Sequence, residues 1–309
     1  MRVLPAALAA GGVAALAACG SAPPTPSTSA KPAAKVGART VTLDRFNIRL
    51  HSTLTAIQQA GGPASPDPAM VTGVRASVLR SLILDEVIEQ EAEYHGLTAT
   101  NSQVQKEIDT DAQQAGGMGA LQSQLAGAGG SLAQLEDEIR SQLNEQRLED
   151  YFARQRAGQV ERQLKAGADF ATVAGAMSDD TGSNSKGGDL GALSKDQLRS
   201  GDPHFSAAVV SLPVGTYTTV PIHDSGGYDV IQVYARTATA WSVRHILVAA
   251  PAPYTVKDRP GWFTESLFTA VQHYCQADEI HVYISDAGAN PCSGAPSSPA
   301  SPSATAPPG

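Results

Sequence analysis

Residues 166–198 read AGADFATVAGAMSDDTGSNSKGGDLGALSKDQL, and this segment carries the most informative pattern in the chain. Its adjacent glycines, Gly187 and Gly188, permit tight turns with positive φ directly before a strand. In that strand Leu190 and Leu193 would face a core. Further along, a strand is predicted by a run of β-forming residues, namely Val230, Ile231 and Val233. The pattern indicates a small sheet.

The same segment is similar to the parvulin-type peptidyl-prolyl isomerases, whose signature is Gly–x–x–Phe–x–x–x–Ala–x–x–x–Ser–x–Asp followed by Gly–Gly–Asp–Leu–Gly. The match continues through residues 205–233. The resemblance implies an α+β fold, in which a parvulin-like domain with a small antiparallel sheet and flanking helices follows a helical domain. The matching signature residues are Gly167, Phe170, Ala174, Ser178, Asp180 and the run 187–191.

The chain departs from the parvulin pattern at the first strand. The family normally begins with a strand such as His–Ile–Leu–Val, but none precedes the helix predicted at 150–166. The run VRHILV instead occurs at 243–248, after the last expected strand. The family fold places its first and last strands side by side and antiparallel, and a short connection at 237–242 could join them. We therefore predict a circular permutation in which His245 lies on the displaced strand.

A second interpretation is that 243–249 opens a truncated second parvulin repeat, with a helix at 262–275 and a strand at 280–284. We favour the permutation, because an unfilled central strand position would leave backbone groups unpaired. Pairing of 243–248 away from 228–234 would contradict it.

The resemblance also implies an apolar pocket for a proline ring. Its walls would be Leu198 and Phe205, with Leu190 beneath. Leu198 replaces the methionine that is usual in the family. Rotation about an X–Pro bond breaks no covalent bond, so a catalyst needs this apolar pocket and polar groups that favour the twisted amide.

Three polar residues complete the predicted site. Asp180 stands where the family has Asp or Cys near the substrate carbonyl, and His245 stands where it has the first of two buried histidines. Asp229 takes the position of the second histidine, so a His–His pair becomes His–Asp, which would favour imidazolium. The resemblance thus makes Asp180 and His245 the candidate catalytic residues and Asp229 part of the substrate pocket. Neither a cofactor nor a metal is expected.

The first half of the chain has helical periodicity from Thr42 to about Leu164. Thr42 can cap a first helix, and Gly96 can stop a second. Capping-box patterns at 102–105 and 131–134 predict the starts of two more helices, separated by a glycine-rich segment. The apolar face of the first helix would contain Leu43, Phe46, Leu50, Leu54 and Ile57.

The order of these parts resembles the N-terminal chaperone domain of SurA-type proteins over roughly residues 40–150. The matching runs are RASVLRSLILDEVIEQEAEYHGLTATNSQVQKEI and, after the glycine-rich segment, SLAQLEDEIRSQLNEQRL. The resemblance implies a cradle of amphipathic helices that holds unfolded segments of secreted proteins.

The N-terminus resembles a lipoprotein signal. Arg2 precedes an apolar, small-residue run that ends in LAACG, which resembles a lipobox with Cys19 as the lipidated residue. An ordinary signal peptide cleaved after Ala18 is the alternative. A lipid anchor would place the protein on the extracytoplasmic face of a cell membrane. The predicted boundaries are a signal peptide 1–18, a tether 19–38, a helical domain 39–150, a parvulin-like domain 151–250, an extension 251–292 and a disordered tail 293–309.

The cysteine content and the net charge indicate how the cysteines pair and which binding partners are disfavoured. If Cys19 carries lipid, Cys275 and Cys292 remain, and export to an oxidising compartment predicts a disulfide between them, with two free thiols as the alternative. The net charge is −8 and there is no basic block, which argues against binding to nucleic acid.

These features predict a membrane-anchored foldase that binds unfolded or partly folded exported proteins and their proline-containing segments, and that has peptidyl-prolyl isomerase activity. The alternatives are a peptide-binding holdase without catalytic activity and a cell-envelope interaction lipoprotein.

Overall fold

The computed structural model describes residues 31–63, 65–251, 259–285 and 289–293. Cys19 and the predicted signal peptide lie outside the described residues, as does all but the first residue of the predicted tail. The predicted α+β class is confirmed, because helices and two antiparallel sheets make up the described chain. Within the described ranges, no helix is both long and apolar enough to cross a bilayer.

The helical half follows the predicted periodicity closely. Thr42 caps the first helix, and its side chain accepts a hydrogen bond from the backbone of Arg45. Gly96 ends the second helix with a φ of +69°. The helices are α1 (Leu43–Gln59), α2 (Pro68–Tyr94), α3 (Asn101–Ala115), α4 (Met118–Gly127) and α5 (Leu132–Lys165).

Two local predictions were wrong. The capping box that opens α3 uses Thr100 and Gln103, two residues before the predicted start at Ser102, because the Thr100 hydroxyl accepts from the Gln103 backbone. The glycine-rich segment also contains α4, whose Leu121 is buried against α3 and α5. Packing of this apolar side chain outweighs the low helix propensity of the surrounding glycines.

A three-stranded sheet in the order β2-β1-β8 packs beside the helices. It contains β1 (Pro32–Val36), β2 (Arg39–Thr42) and β8 (Ile280–Val282). The predicted tether is therefore wrong for residues 32–38. Ala33, Ala34 and Val36 are fully buried, and their backbone pairs with strands on both sides.

The predicted C-terminal extension packs against the helical half rather than standing apart. Its helix α9 (Gly261–Gln276) contacts α2 and α5, and β8 pairs with β1. A bond joins Cys275 to Cys292, as predicted. Because β8 belongs to the N-terminal sheet, the alternative of a second parvulin repeat is contradicted.

The second sheet has the order β3-β7-β6-β4, with β5 also paired to β6. The pairing required by the permutation hypothesis is present: β6 and β7 form an antiparallel hairpin in which Tyr228 lies opposite Val248 and Val233 opposite Val243. The strands are β3 (Asp189–Ser194), β4 (Thr216–Tyr217), β5 (Ile222–His223), β6 (Gly227–Arg236) and β7 (Ala240–Ala249).

Helices cover both faces of this sheet. On one face, α5 and α6 (Phe170–Met177) pack on Val230, Ile246 and Val248. On the other face, α7 (Lys195–Ser200) and α8 (Pro203–Ser211) pack on Ile231, Val233 and Val243. The predicted boundary between 150 and 151 falls inside α5, which contributes Leu148 to a helical-domain cluster and Ala153 onward to the sheet core.

Candidate functional site

The centre of the candidate site is His245, on β7 between β3 and β6. Side chains alternate between the faces of a strand, so His245 shares a face with Trp241 and Val243. Across the hairpin, Asp229 occupies the diagonal position, because Ile231 is the direct partner of His245. This diagonal places Asp229 Oδ1 2.7 Å from His245 Nδ1.

The other ring nitrogen of His245 meets Asp180. Nε2 lies 2.8 Å from Asp180 Oδ2, although 65 residues separate the two in sequence. Asp180 also accepts hydrogen bonds from the Ser183 hydroxyl and, at 3.0 Å, from the backbone N–H of Gly182. This turn orients the carboxylate towards the sheet.

The imidazole therefore lies between two carboxylates, which requires an extra proton in the array. Neutral histidine has one N–H, and two ionised carboxylates are acceptors only, so full hydrogen bonding needs imidazolium or a protonated acid. Burial lowers the pKa of His245, but the hydrogen bonds and charges of Asp229 and Asp180 outweigh it and the net pKa is raised.

The two carboxylates respond to this environment in opposite ways. Burial raises the pKa of Asp229 to about 6, despite the opposing effect of His245. Partial burial acts upward on Asp180 as well, but hydrogen bonds from Ser183 and His245 prevail and its net pKa is lowered. Asp180 is thus the more readily ionised member of the array.

Exposure separates the three residues further. The side chain of Asp180 is 28 % exposed, whereas that of His245 is 10 % exposed and that of Asp229 is 4 % exposed. Asp180 is therefore the most solvent-accessible member of the array. Asp229, which the sequence placed in the substrate pocket, is the least exposed of the three and is hydrogen-bonded to His245 Nδ1.

The three predicted apolar pocket residues belong to one cluster on the same side of the sheet. Leu190 and Phe205 are partly buried, while Leu198 is 6 % exposed and lies in the cluster core with Val209. The Phe205 ring meets the His245 ring edge-on, with centroids 6.0 Å apart. The structure thus brings these three residues into one cluster, and the Phe205 ring contacts the polar array.

Gly188 brings the glycine loop directly onto β7. Its φ is +78°, its carbonyl accepts from His245 N–H at 2.9 Å, and a Cβ there would lie 2.2 Å from His245 O. Only glycine fits this contact. The glycine pair therefore fixes the distance between β7 and the turn that carries Asp180.

Asp179 and Asp180 point apart, as expected for adjacent residues in extended chain. Asp179 Oδ2 accepts hydrogen bonds from Ala249 N–H and from the indole N–H of Trp262, both at 2.8 Å. Sequence reasoning missed this contact, and it missed Ser183 beside Asp180. No local pattern links Trp262 to Asp179, whereas the short Asp180–Ser183 spacing is typical of a side-chain turn.

The array can polarise a bound peptide but offers no free nucleophile. It presents a partly exposed carboxylate that is hydrogen-bonded to a buried imidazole, beside an aromatic ring. In the part of the chain that the structure describes, no group of three or more His, Cys, Asp or Glu side chains could hold a metal ion.

Two family models match this chain. Residues 5–149 match the SurA-like N-terminal domain, and residues 139–235 match the PPIC-type PPIASE domain. The two matches overlap within α5. Strand β7 and helix α9 lie beyond both of them.

Curated relatives match over short segments. Foldase protein PrsA of Clostridium botulinum (strain Hall) is 40% identical over 80 residues, which cover 26% of this chain and 23% of the relative. Chaperone SurA of Sodalis glossinidius is 39% identical over 85 residues, covering 27% and 19%. The chain thus aligns with less than a quarter of the length of these relatives.

Two solved structures are also similar. A crystal structure of foldase protein PrsA from Streptococcus pneumoniae has 13% identity and a TM-score of 0.30, covering 82% of this chain and 94% of that one. Peptidylprolyl isomerase PrsA from Bacillus anthracis has 16% identity and a TM-score of 0.24, covering 67% and 99%.

Proposed function

The chain combines a SurA-like N-terminal domain with a PPIC-type rotamase domain, and we propose that it acts as a foldase on exported proteins. In this proposal the helical half holds unfolded segments, and the sheet domain accelerates rotation about X–Pro bonds. The clients are unfolded or partly folded proteins with proline-containing segments.

The observation that supports catalysis best is the Asp180–His245–Asp229 array beside Phe205. Amide resonance sets a barrier of about 18–20 kcal/mol to X–Pro rotation, and a catalyst lowers it by favouring the twisted amide. In the proposed role, Phe205 and Leu190 contact the proline ring while Asp180 lies near the carbonyl. His245 and Asp229 act through Asp180, as positioning residues.

A proline-peptide isomerisation assay on the chain starting at residue 20 tests this proposal. The expected result is acceleration that falls by about tenfold or more in Asp180→Ala, since preorganised polar groups contribute on that scale or above. Asp196→Ala is the matched control, because Asp196 lies on α7 of the same domain with a 91% exposed side chain. Equal activity of wild type and Asp180→Ala would refute the catalytic role of Asp180.

A holdase without catalytic activity is the second candidate. It is favoured by two departures from the parvulin pattern: the buried carboxylate of Asp229 in place of a histidine, and the displaced strand that carries His245. Suppressed aggregation of an unfolded client, without acceleration of the proline peptide by the wild-type chain, would select this function over the foldase.

Membrane anchoring through Cys19 is a further part of the proposal. A lipidated cysteine would hold the protein on the extracytoplasmic face, and several acyl chains anchor a soluble domain firmly. The test is metabolic labelling with a fatty acid in a bacterial host. We expect label in the wild-type chain and none in Cys19→Ser, which should appear in the soluble fraction. An unlabelled wild-type chain would contradict the anchor.

A further inference from the structure

The carboxylate of Asp179, in the segment after α6, joins strand β7 and helix α9 at one oxygen. Oδ2 accepts from Ala249 N–H at the end of β7 and from Trp262 Nε1 at the start of α9, each at 2.8 Å. Asp179 is the immediate neighbour of Asp180 in the chain. Helix α9 therefore contacts the residue that directly precedes Asp180 of the polar array.

The backbone around Asp179 is hydrogen-bonded to the same strand. Asp179 N–H donates to Leu247 O at 2.8 Å, and Leu247 N–H donates to Ser178 Oγ at 3.1 Å. Residues 178–179 thus follow β7 over the positions just beyond His245. The separation between Asp180 and His245 depends on this alignment.

Trp262 is itself held in place by α5 and by the burial of its neighbour. The guanidinium carbon of Arg156, on α5, lies 5.9 Å from the centroid of the Trp262 ring. The adjacent Phe263 is fully buried in a cluster with Ile88 of α2 and Leu148 of α5. The indole N–H therefore comes from a helix that is anchored on the helical half.

We propose that Trp262 is a positioning residue for the rotamase site, which fixes Asp180 against His245 by holding the carboxylate of Asp179. The C-terminal helix, beyond both matched family ranges, would then complete a site whose signature residues lie in 167–191. The activity consequence rests on the proposed function, but the geometric consequence for His245 does not.

The test compares Trp262→Phe with Trp241→Phe. Both variants lose an indole, but Trp241 Nε1 is buried without a hydrogen-bond partner, so the control loses ring volume and no hydrogen bond. The groups that face His245 are Asp180, Asp229 and the Phe205 ring, with Asp224 near Asp229. Titration of His245 by NMR reports directly on these contacts.

We expect the His245 pKa to fall in Trp262→Phe and to remain in place in Trp241→Phe, because only the former loosens the contact with Asp180. The pH profile of isomerisation should shift with it, and kcat/KM should fall by about fivefold, as expected for modest misplacement of a catalytic group. An unchanged His245 titration in folded Trp262→Phe would overturn the inference. Absence of isomerase activity in the wild type would refute the proposed catalysis alone.

A second variant keeps the test decisive if Trp262→Phe folds poorly. Asp179→Ala removes the acceptor of the same hydrogen bond, so it should lower the His245 pKa by itself, and an unchanged titration would overturn the inference. Where both single variants fold, adding Trp262→Phe to Asp179→Ala should change the titration no further, because the two act through one bond. An additional shift in the double variant would show that Trp262 acts by another route and would overturn the inference.

Discussion

His245 Nδ1 lies 2.7 Å from Asp229 Oδ1, and both side chains are almost completely buried. A buried pair of this kind recovers its desolvation cost only when the geometry is good and the remaining polar atoms are bonded. Asp180 provides the remaining hydrogen bond, because its carboxylate lies beside the other ring nitrogen of His245. The pair is therefore sensitive both to pH and to the loss of either partner.

Stability should decline as pH rises through the folded pKa of His245. That pKa is raised above 6.5. The protonated imidazole therefore contributes its full stabilisation of the folded state below pH 6.5, and this stabilisation is lost as pH rises through the folded pKa. The pKa of Asp229 is raised to about 6, so the fold favours its protonated form and loses stability as pH rises from 3.8 towards 6. Asp180 acts oppositely: its pKa is lowered from 3.8, and its contribution disappears only in acid below that value.

Urea unfolding of wild type and His245→Asn over pH checks this expectation. The wild type should lose stability at alkaline pH relative to mildly acidic pH, and the variant should lose less over the same interval. His223→Asn is the control, since His223 is largely exposed on β5 and outside the array. Parallel curves for wild type and His245→Asn would contradict the assignment.

Asp229→Ala should destabilise the chain more than Asp229→Asn. The amide oxygen of Asn can still accept from His245, whereas Ala leaves Nδ1 buried without a partner, which costs about 1–3 kcal/mol. Both variants should lower the His245 pKa because both remove a negative charge. Chemical unfolding and NMR titration measure the two effects, and equal stability of the two variants would argue against the hydrogen bond.

The sequence predicts the features of this molecule that depend on neighbouring residues better than contacts between residues far apart in the chain. Strand β7 was predictable because VRHILV is a local run of β-forming residues, whereas its pairing with β6 was expected only from the parvulin resemblance. Convergence of Asp180, His245 and Phe205 followed from the family resemblance. The Trp262–Asp179 bond spans 83 residues and leaves no periodic signal. Strand β1 was missed because its short, alanine-rich run becomes a strand only by pairing with β2 and β8.

Gly188→Ala should disrupt the site far more than Gly191→Ala. Both glycines have positive φ, so both substitutions introduce backbone strain of about 1 kcal/mol or more. A Cβ at Gly188 would also lie 2.2 Å from His245 O, whereas one at Gly191 would meet nothing within 4 Å. We expect Gly188→Ala to lose about 2 kcal/mol more stability than Gly191→Ala and to shift the His245 titration. Equal losses of stability in the two variants would contradict this prediction, because β7 would then move away from the new Cβ at no measurable cost in free energy.

The Cys275–Cys292 bond should stabilise the small N-terminal sheet. It links the end of α9 to the segment after β8, and it closes a separation of 17 residues. In the chain-entropy account, a loop of that length contributes about 3 kcal/mol. The double variant Cys275→Ser/Cys292→Ser should lose about that much, and its amides in β1 and β8 should exchange faster with solvent. Reductant should lower the stability of the wild type to the level of the variant and leave the variant unchanged. A wild type indifferent to reductant would contradict the prediction.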